Sequence, residues 1–141
     1  MLCSAWGACA LALWAAAVVV WDARTLRLPN ALVLPAVPAV WGAAVVCGHA
    51  EAILGGILWW AAIALPALRR GRRLVGAGDA KLALVCGCLA NWDHPVGVWI
   101  AMGVAGVVGL GWAAVARAGK VPFGPAMVAG TVAALLVCPG L

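Results

Sequence analysis

Two of the four acidic residues in this chain, Asp22 and Asp79, border long apolar stretches. An ionisable side chain at or near membrane depth costs free energy, so it is a candidate for function with a partner to be found. Two carboxyl groups held close together do not both ionise readily, and such a pair would share one proton. The ionised member can take a proton from water as that water attacks a peptide carbonyl, while the protonated member polarises the carbonyl and later protonates the leaving amine. The pair therefore predicts peptide-bond hydrolysis by general acid/base catalysis.

The residues around Asp79 add to this hypothesis. The stretch reads Gly76-Ala77-Gly78-Asp79-Ala80-Lys81-Leu82. We expect Gly76 and Gly78 to let the backbone approach an extended substrate and to allow a positive φ. An ordinary flexible turn, in which Asp79 caps a helix or pairs with Lys81, is the structural alternative.

Helix ends suggest different roles for the two aspartates. Asp79 is expected to precede a helix, where the dipole favours an anion, and Asp22 to lie near a helix C-terminus, where an anion is disfavoured. We therefore predict that Asp79 is the base and Asp22 the acid. The structural alternative for Asp22 is an ion pair with Arg24 or Arg27.

Composition identifies the class of protein that must position these residues. The chain has 141 residues, of which 67% are hydrophobic and 9% charged, whereas a soluble domain carries about 25% charged residues. Transmembrane strands would need apolar and polar residues in alternation, but these runs are apolar throughout. We predict an all-α, polytopic membrane protein with about six transmembrane helices in a single domain, residues 1–141.

Six apolar runs predict the spans, at about residues 2–21, 31–47, 52–68, 80–89, 96–116 and 126–137. The first run has no basic residue before it and reaches about 20 residues, which favours a retained span over a cleaved signal. Pro35 and Pro38 predict a kink in the second. The fourth is short for a full crossing. The six cysteines are expected to be buried small hydrophobes, without a metal site or a disulfide framework.

The basic residues predict the topology. All nine lie on the side that the chain reaches after the first, third or fifth run, with Lys81 at the very start of the fourth: Arg24, Arg27, Arg69, Arg70, Arg72, Arg73, Lys81, Arg117 and Lys120. The positive-inside rule makes these loops cytoplasmic and puts both termini outside. Glu51 and Asp93 then lie outside, and Asp22 and Asp79 share the cytoplasmic side. The net charge of +5 is thus explained by topology and contact with anionic lipids, and no nucleic-acid partner is predicted.

Three segments together resemble the type IV prepilin peptidase family. Asp22-Ala23-Arg24 followed by Leu28-Pro29-Asn30 is similar to its first aspartate motif. The Gly76–Leu82 stretch is similar to its G-x-G-D-x-K-L motif, and Val121-Pro122-Phe123-Gly124-Pro125 to its P-F-G-P segment. They occur in the family's order along the chain.

The resemblance implies a GxGD-type aspartic endopeptidase of the inner membrane that needs no metal or other cofactor. Asp22 and Asp79 would be catalytic, and the substrates would be prepilins or pseudopilins cleaved on the cytoplasmic side. It implies a supporting role for the other matched residues: Pro29, Asn30, Gly76, Gly78, Lys81, Pro122, Phe123, Gly124 and Pro125. The cysteine-rich, zinc-binding region of larger members is not recognisable, so we expect no methyltransferase activity, as in the short forms that serve Flp/Tad-type pili.

Two other functions remain open at this point. In a small ion- or proton-coupled transporter the aspartates would carry ions, and further polar residues would continue across the bilayer. A non-catalytic pilus-assembly protein could keep the motifs without the activity. The sequence predicts neither the oligomeric state nor which prepilin is the substrate.

Overall fold

The structure, a computed structural model, describes residues 5–69, 76–116 and 121–138. This part of the chain contains helices and no strand, which confirms the all-α prediction. The helices are α1 (Ala5–Thr25), α2 (Asn30–Val33), α3 (Ala36–Val46), α4 (Ala52–Arg69), α5 (Ala77–Ala90), α6 (Gly97–Ala116) and α7 (Gly124–Val137).

The second apolar run is broken, as its prolines predict. Helix α2 ends at Val33, and α3 begins after Pro35, which has no backbone N–H to continue the ladder. At this break the carbonyl oxygen of Leu32 accepts a hydrogen bond from the Nε1–H of Trp14 in α1, at 2.9 Å. The break is therefore also a point where α1 is attached to α2.

Two helices are long and apolar enough to cross a membrane, over Trp6–Thr25 and Gly97–Val115. The other apolar helices of the described ranges are shorter. Most side chains of these two helices are exposed in the isolated chain, including Leu13, Val107 and Leu110. Apolar surface of this kind suits contact with lipid. That the chain crosses six times stays a prediction.

Helix α5 lies at the centre of the bundle. It packs against α2, α3, α4, α6 and α7, and most of its residues from Leu82 to Ala90 are buried. Its 14 residues rise about 21 Å, less than the roughly 30 Å of a hydrocarbon core. The fourth predicted span can be this short because the helix is covered by neighbouring helices rather than by lipid.

Glycines bring α4 and α5 into backbone contact. A Cβ on Gly56 of α4 would collide with the carbonyl oxygen of Leu84, and one on Gly55 would come within 2.5 Å of the carbonyl oxygen of Gly87. Small residues at a helix interface allow such approach within membranes.

The prediction about the cysteines is partly wrong. Cys86, Cys88 and Cys138 are buried and free, as expected. Cys9 is exposed, and Cys47 is disulfide-bonded. Cys47 follows the last residue of α3 and is only partly buried, whereas Cys86 and Cys88 are buried within α5. The sixth cysteine, Cys3, lies outside the described residues.

Candidate active site

Asp22 projects from the last turns of α1 into the bundle. Its side chain is only 4% exposed, and its Oδ2 accepts a hydrogen bond from the backbone N–H of Gly124 at 2.9 Å. Gly124 is the first residue of α7. A carboxylate at a helix start is stabilised by the free amides and the dipole there. The contact joins the first and last helices of the described chain.

The sequence of the α7 start explains why this contact can form. Phe123 packs over Gly109 of α6, whose missing Cβ would otherwise lie 2.8 Å from the ring. A Cβ on Gly124 would lie 2.7 Å from Oδ2 of Asp22, so only glycine offers its amide at this distance. Pro125 lies in the first turn of α7, where a residue without N–H is tolerated. Pro122, which directly precedes Phe123, is buried.

Asp79 lies in the first turn of α5, inside the helix rather than before it as predicted. Gly76 is the N-cap residue, and its backbone N–H donates to the Asp79 carboxylate. This is the return half of a capping box, in which the third helical residue binds the N-cap amide. The capping role considered as the structural alternative is therefore present.

The two glycines before Asp79 do not have the predicted backbone conformation. Gly48 is the only glycine of the described ranges with a positive φ, and Gly76 is extended at φ −61° and ψ 144°. Gly78 instead makes room for the chain itself, since a Cβ there would lie 2.9 Å from the Cβ of Leu28. The expectation of positive φ is wrong, and Gly78 has a packing role against the segment after α1.

The two aspartates lie close enough for their charges to interact. The carboxyl group of Asp79 interacts electrostatically with that of Asp22, although they project from different helices. Both lie among packed side chains, where water screens charge weakly. Two like charges in such surroundings are unfavourable, so the pair is suited to hold a single shared proton.

Lys81 makes a different contact from the one considered in the sequence. Its Nζ donates to Oδ1 of Asn30 at 2.8 Å, so its hydrogen bond goes to α2 and not to Asp79. Pro29 is the N-cap of α2 with φ −69°, and it fixes the backbone that presents Asn30. This pair ties the segment after Asp22 to the first turns of α5. We call Asp22, Asn30, Asp79, Lys81 and Gly124 the aspartate end of the bundle.

One feature of this end carries no clear sequence signal. Leu26, one residue beyond α1, has φ 53°, a left-handed conformation that costs a residue with a Cβ roughly 1–2 kcal/mol. Its N–H donates to the carbonyl oxygen of Asp22 at 2.8 Å. Thr25 holds the turn, because its hydroxyl lies 2.9 Å from the carbonyl oxygens of Trp21 and Arg27. The turn directs the chain back towards α5.

Among the described residues no three His, Cys, Asp or Glu side chains are grouped as a metal centre would require. The chemistry that the aspartate end can perform with its own groups is proton transfer between two carboxyls and a water or substrate.

Comparison with known proteins gives two kinds of match. A model of the type IV leader peptidase family matches residues 9–114. The prepilin leader peptidase/N-methyltransferase of Burkholderia pseudomallei strain 1026b is 34% identical over 143 residues, which cover 94% of this chain and 45% of that protein. The protein of the same name from strain K96243 matches to the same extent. The chain thus spans about half the length of these relatives, and no solved structure matches it significantly.

Proposed function

Because the chain belongs to the type IV leader peptidase family, we propose that it is an intramembrane aspartic endopeptidase. It cleaves the leader peptide of type IV prepilins or related pseudopilins at the cytoplasmic face of the membrane. The observation that carries the proposal is the electrostatic interaction between Asp22 and Asp79. The relatives' name, prepilin leader peptidase, supports the substrate class.

The reaction uses the one proton that the pair holds. The ionised carboxylate takes a proton from water, and the water oxygen forms a bond to the scissile carbonyl carbon. The protonated carboxyl donates a hydrogen bond to the carbonyl oxygen and stabilises the charge that develops there. As the C–N bond breaks, a carboxyl proton passes to the leaving amine. One proton has been gained and one given, so the pair returns to its starting state.

The structure removes the basis for assigning the two roles from helix ends. The predicted difference rested on Asp22 being near the C-terminus of its own helix. Asp22 also accepts a hydrogen bond from a backbone amide at the start of α7. Asp79 accepts a hydrogen bond from a backbone amide at the start of α5. Both carboxyls therefore face a helix start, and this argument no longer separates acid from base.

The supporting residues act on the position of the aspartates in this proposal. Phe123, Gly124 and Pro125 place an amide against Asp22, and Asn30 with Lys81 holds α2 against α5. The exposed Lys81–Asn30 pair, two residues along α5 from Asp79, is also available to contact the backbone of an extended substrate.

The test is co-expression with a candidate prepilin, with leader removal followed by gel mobility and mass spectrometry. Asp22→Asn and Asp79→Asn should each abolish detectable processing, because the amide keeps the size of the side chain but cannot transfer the proton. The expected loss is roughly 10²–10⁴-fold for each, the usual contribution of general acid/base catalysis. The amount of each variant in the membrane is measured in parallel.

Arg24→Gln is the matched control. Arg24 lies in the last turn of α1 beside Asp22 and is exposed. If Asp22 served only to pair with a neighbouring arginine, this change would harm processing as Asp22→Asn does. We expect normal processing from Arg24→Gln, and processing that survives either aspartate substitution would refute the two-aspartate mechanism.

A further inference from the structure

The turn after α3 lies at the end of the bundle opposite the aspartates. Cys47 caps α3, and Gly48 turns the chain with φ 82°. Further along the turn, the carbonyl oxygen of Glu51 accepts a hydrogen bond from Asn91, which follows the last residue of α5. Asp79 lies in the first turn of α5, and the helix rises about 18 Å between it and Asn91. We call residues 47–51 the distal turn.

Cys47 is the cysteine of the distal turn, and it is disulfide-bonded. Four other cysteines are free thiols: Cys9, Cys86, Cys88 and Cys138. The sequence contains one further cysteine, Cys3. Exposure alone does not explain which cysteine is oxidised, because Cys9 is exposed and free whereas Cys47 is only partly exposed. A specific pairing of Cys47 accounts for the difference.

Disulfide chemistry indicates the side of the membrane on which the distal turn lies. Disulfides form and persist in oxidising compartments such as the bacterial periplasm, whereas cytoplasmic thiols are kept reduced. The charge pattern gives the same indication from different residues. From Leu28 to Leu68 the sequence contains no lysine or arginine, and a loop without basic residues is typical of the outer side. Two unrelated properties of the chain thus favour an extracytoplasmic distal turn.

We propose that Cys47 and Cys3 form a disulfide on the extracytoplasmic side, introduced by a thiol–disulfide oxidoreductase of the cell envelope. The thiolate of one cysteine attacks the disulfide of the oxidoreductase and forms a mixed disulfide, which releases one thiol of the oxidoreductase. The thiolate of the second cysteine then attacks the sulfur of the first and releases the other thiol. The protons and the electron pair of the two cysteines pass to the oxidoreductase, which leaves as a dithiol.

The proposed bond attaches the helix that carries Asp22. Cys3 precedes Ala5, the first described residue of α1, by two positions. Within the described residues α1 packs chiefly against α7, and Trp14 adds a hydrogen bond to Leu32. A covalent bond near the start of α1 fastens this helix at the distal end, while its contact with α7 holds Asp22 at the aspartate end.

The thiol state of the full chain in cell membranes tests the pairing. Cells are quenched in acid, and the denatured chain is reacted with a maleimide of high mass, with or without prior reduction. Four thiols should react before reduction and six after it. Cys47→Ser and Cys3→Ser should each abolish this difference, and the matched control Cys9→Ser should keep it. Six reactive thiols in the unmodified chain before reduction, a difference that survives Cys47→Ser or Cys3→Ser, or a disulfide-linked dimer would overturn the proposal.

The same measurement in cells that lack the envelope oxidoreductase tests the compartment. Newly made chain, followed by pulse labelling, should keep six reactive thiols in these cells. In the parent cells the number should fall to four as the disulfide forms. Equal rates of oxidation in the two kinds of cell would contradict oxidation by the envelope enzyme.

Thermal unfolding of the purified chain tests the attachment of α1. Reduction should lower the unfolding temperature by roughly 10 °C, because the bond closes a long loop. Cys47→Ser should unfold at the lower temperature with or without reductant, and Cys9→Ser should respond to reductant as the unmodified chain does. Equal unfolding temperatures of the oxidised and reduced chain would show that the bond does not hold α1. None of these measurements follows prepilin processing, so the results are independent of the peptidase proposal.

Discussion

A buried polar side chain lies at each end of α5, and the two side chains have different partners. At the C-terminal end, Asn91 is 8% exposed, and its Nδ2–H donates to the carbonyl oxygen of Glu51 at 3.2 Å. At the other end, Asp22 is 4% exposed and also has a backbone partner, but it faces a second carboxyl. A neutral amide with a backbone partner fastens two helices at no electrostatic cost. Two facing carboxyls bring a cost that packing alone does not require, which is why such pairs indicate function.

The pH dependence of the rate should be the most pronounced difference between the ends. Because the aspartate pair works with one proton, cleavage should fall on both sides of an optimum. On the acid side both carboxyls become protonated, and on the alkaline side both become ionised. Each flank should approach about tenfold per pH unit, the limit for titration of one group. Initial rates on a prepilin peptide, corrected for the folded fraction at each pH, would measure this. A rate that stays flat across the whole stable range would contradict proton sharing.

Gly124→Ala should cause the largest loss among substitutions outside the aspartates themselves. The new Cβ would lie 2.7 Å from Oδ2 of Asp22, so either the carboxylate or the start of α7 must move. A displacement of about 1 Å at a reacting group costs roughly 10²-fold in rate. The measurement is kcat on a prepilin peptide in detergent, with thermal unfolding of the same sample as the control for folding. A variant with full activity would show that the Gly124 amide does not position Asp22.

Gly56→Ala introduces the same kind of steric clash as Gly124→Ala, but in the middle of the bundle. Its Cβ would collide with the carbonyl oxygen of Leu84, so α4 must move away from α5. Overpacking of this kind typically costs about 1–3 kcal/mol of stability. We expect a lower unfolding temperature together with an unchanged kcat per folded molecule. A fall in kcat without a fall in stability would mean that the α4–α5 interface acts on the catalytic groups.

Lys81→Met should have the smallest effect of the three substitutions in terms of free energy. It removes the hydrogen bond to Asn30, and a net value of about 0.5–1.5 kcal/mol corresponds to a decrease of roughly two- to tenfold in kcat/KM. Lys81→Arg keeps a cationic donor and should retain more activity than Lys81→Met. If the two variants lose activity equally, the length of the lysine side chain matters and not its hydrogen bond.

The helices and one of their interruptions were predictable from local sequence. Apolar runs between short polar gaps predict helices, and Pro35 predicts the break between α2 and α3 because it lacks an N–H. The short run that became α5 was also recognisable. Its central position was not, because the run carries no periodicity that distinguishes a helix covered by protein from one covered by lipid.

At the aspartate end the sequence indicated the residues but not their contacts. The resemblance included Phe123, Gly124 and Pro125, yet the bond from Gly124 to Asp22 joins residues 102 positions apart, and no local pattern specifies it. Gly78 was interpreted as room for a substrate, but its contact with Leu28 depends on how the chain turns after α1. Leu26 at φ 53° opposes local preference, since glycine is the usual residue there.

The hydrogen bond between Asp22 and Gly124 also determines when the aspartate pair can be completed during synthesis of the chain. Asp22 belongs to the first helix of the described chain, and its amide donor belongs to the last, so the ribosome makes Asp22 well before its partner. A nascent chain that has inserted α1 to α6 already contains both aspartates, but Asp22 has not yet acquired its amide partner. The geometry of the pair is completed only when α7 packs beside α1, so a partly translated molecule lacks the arrangement on which the proposed cleavage depends.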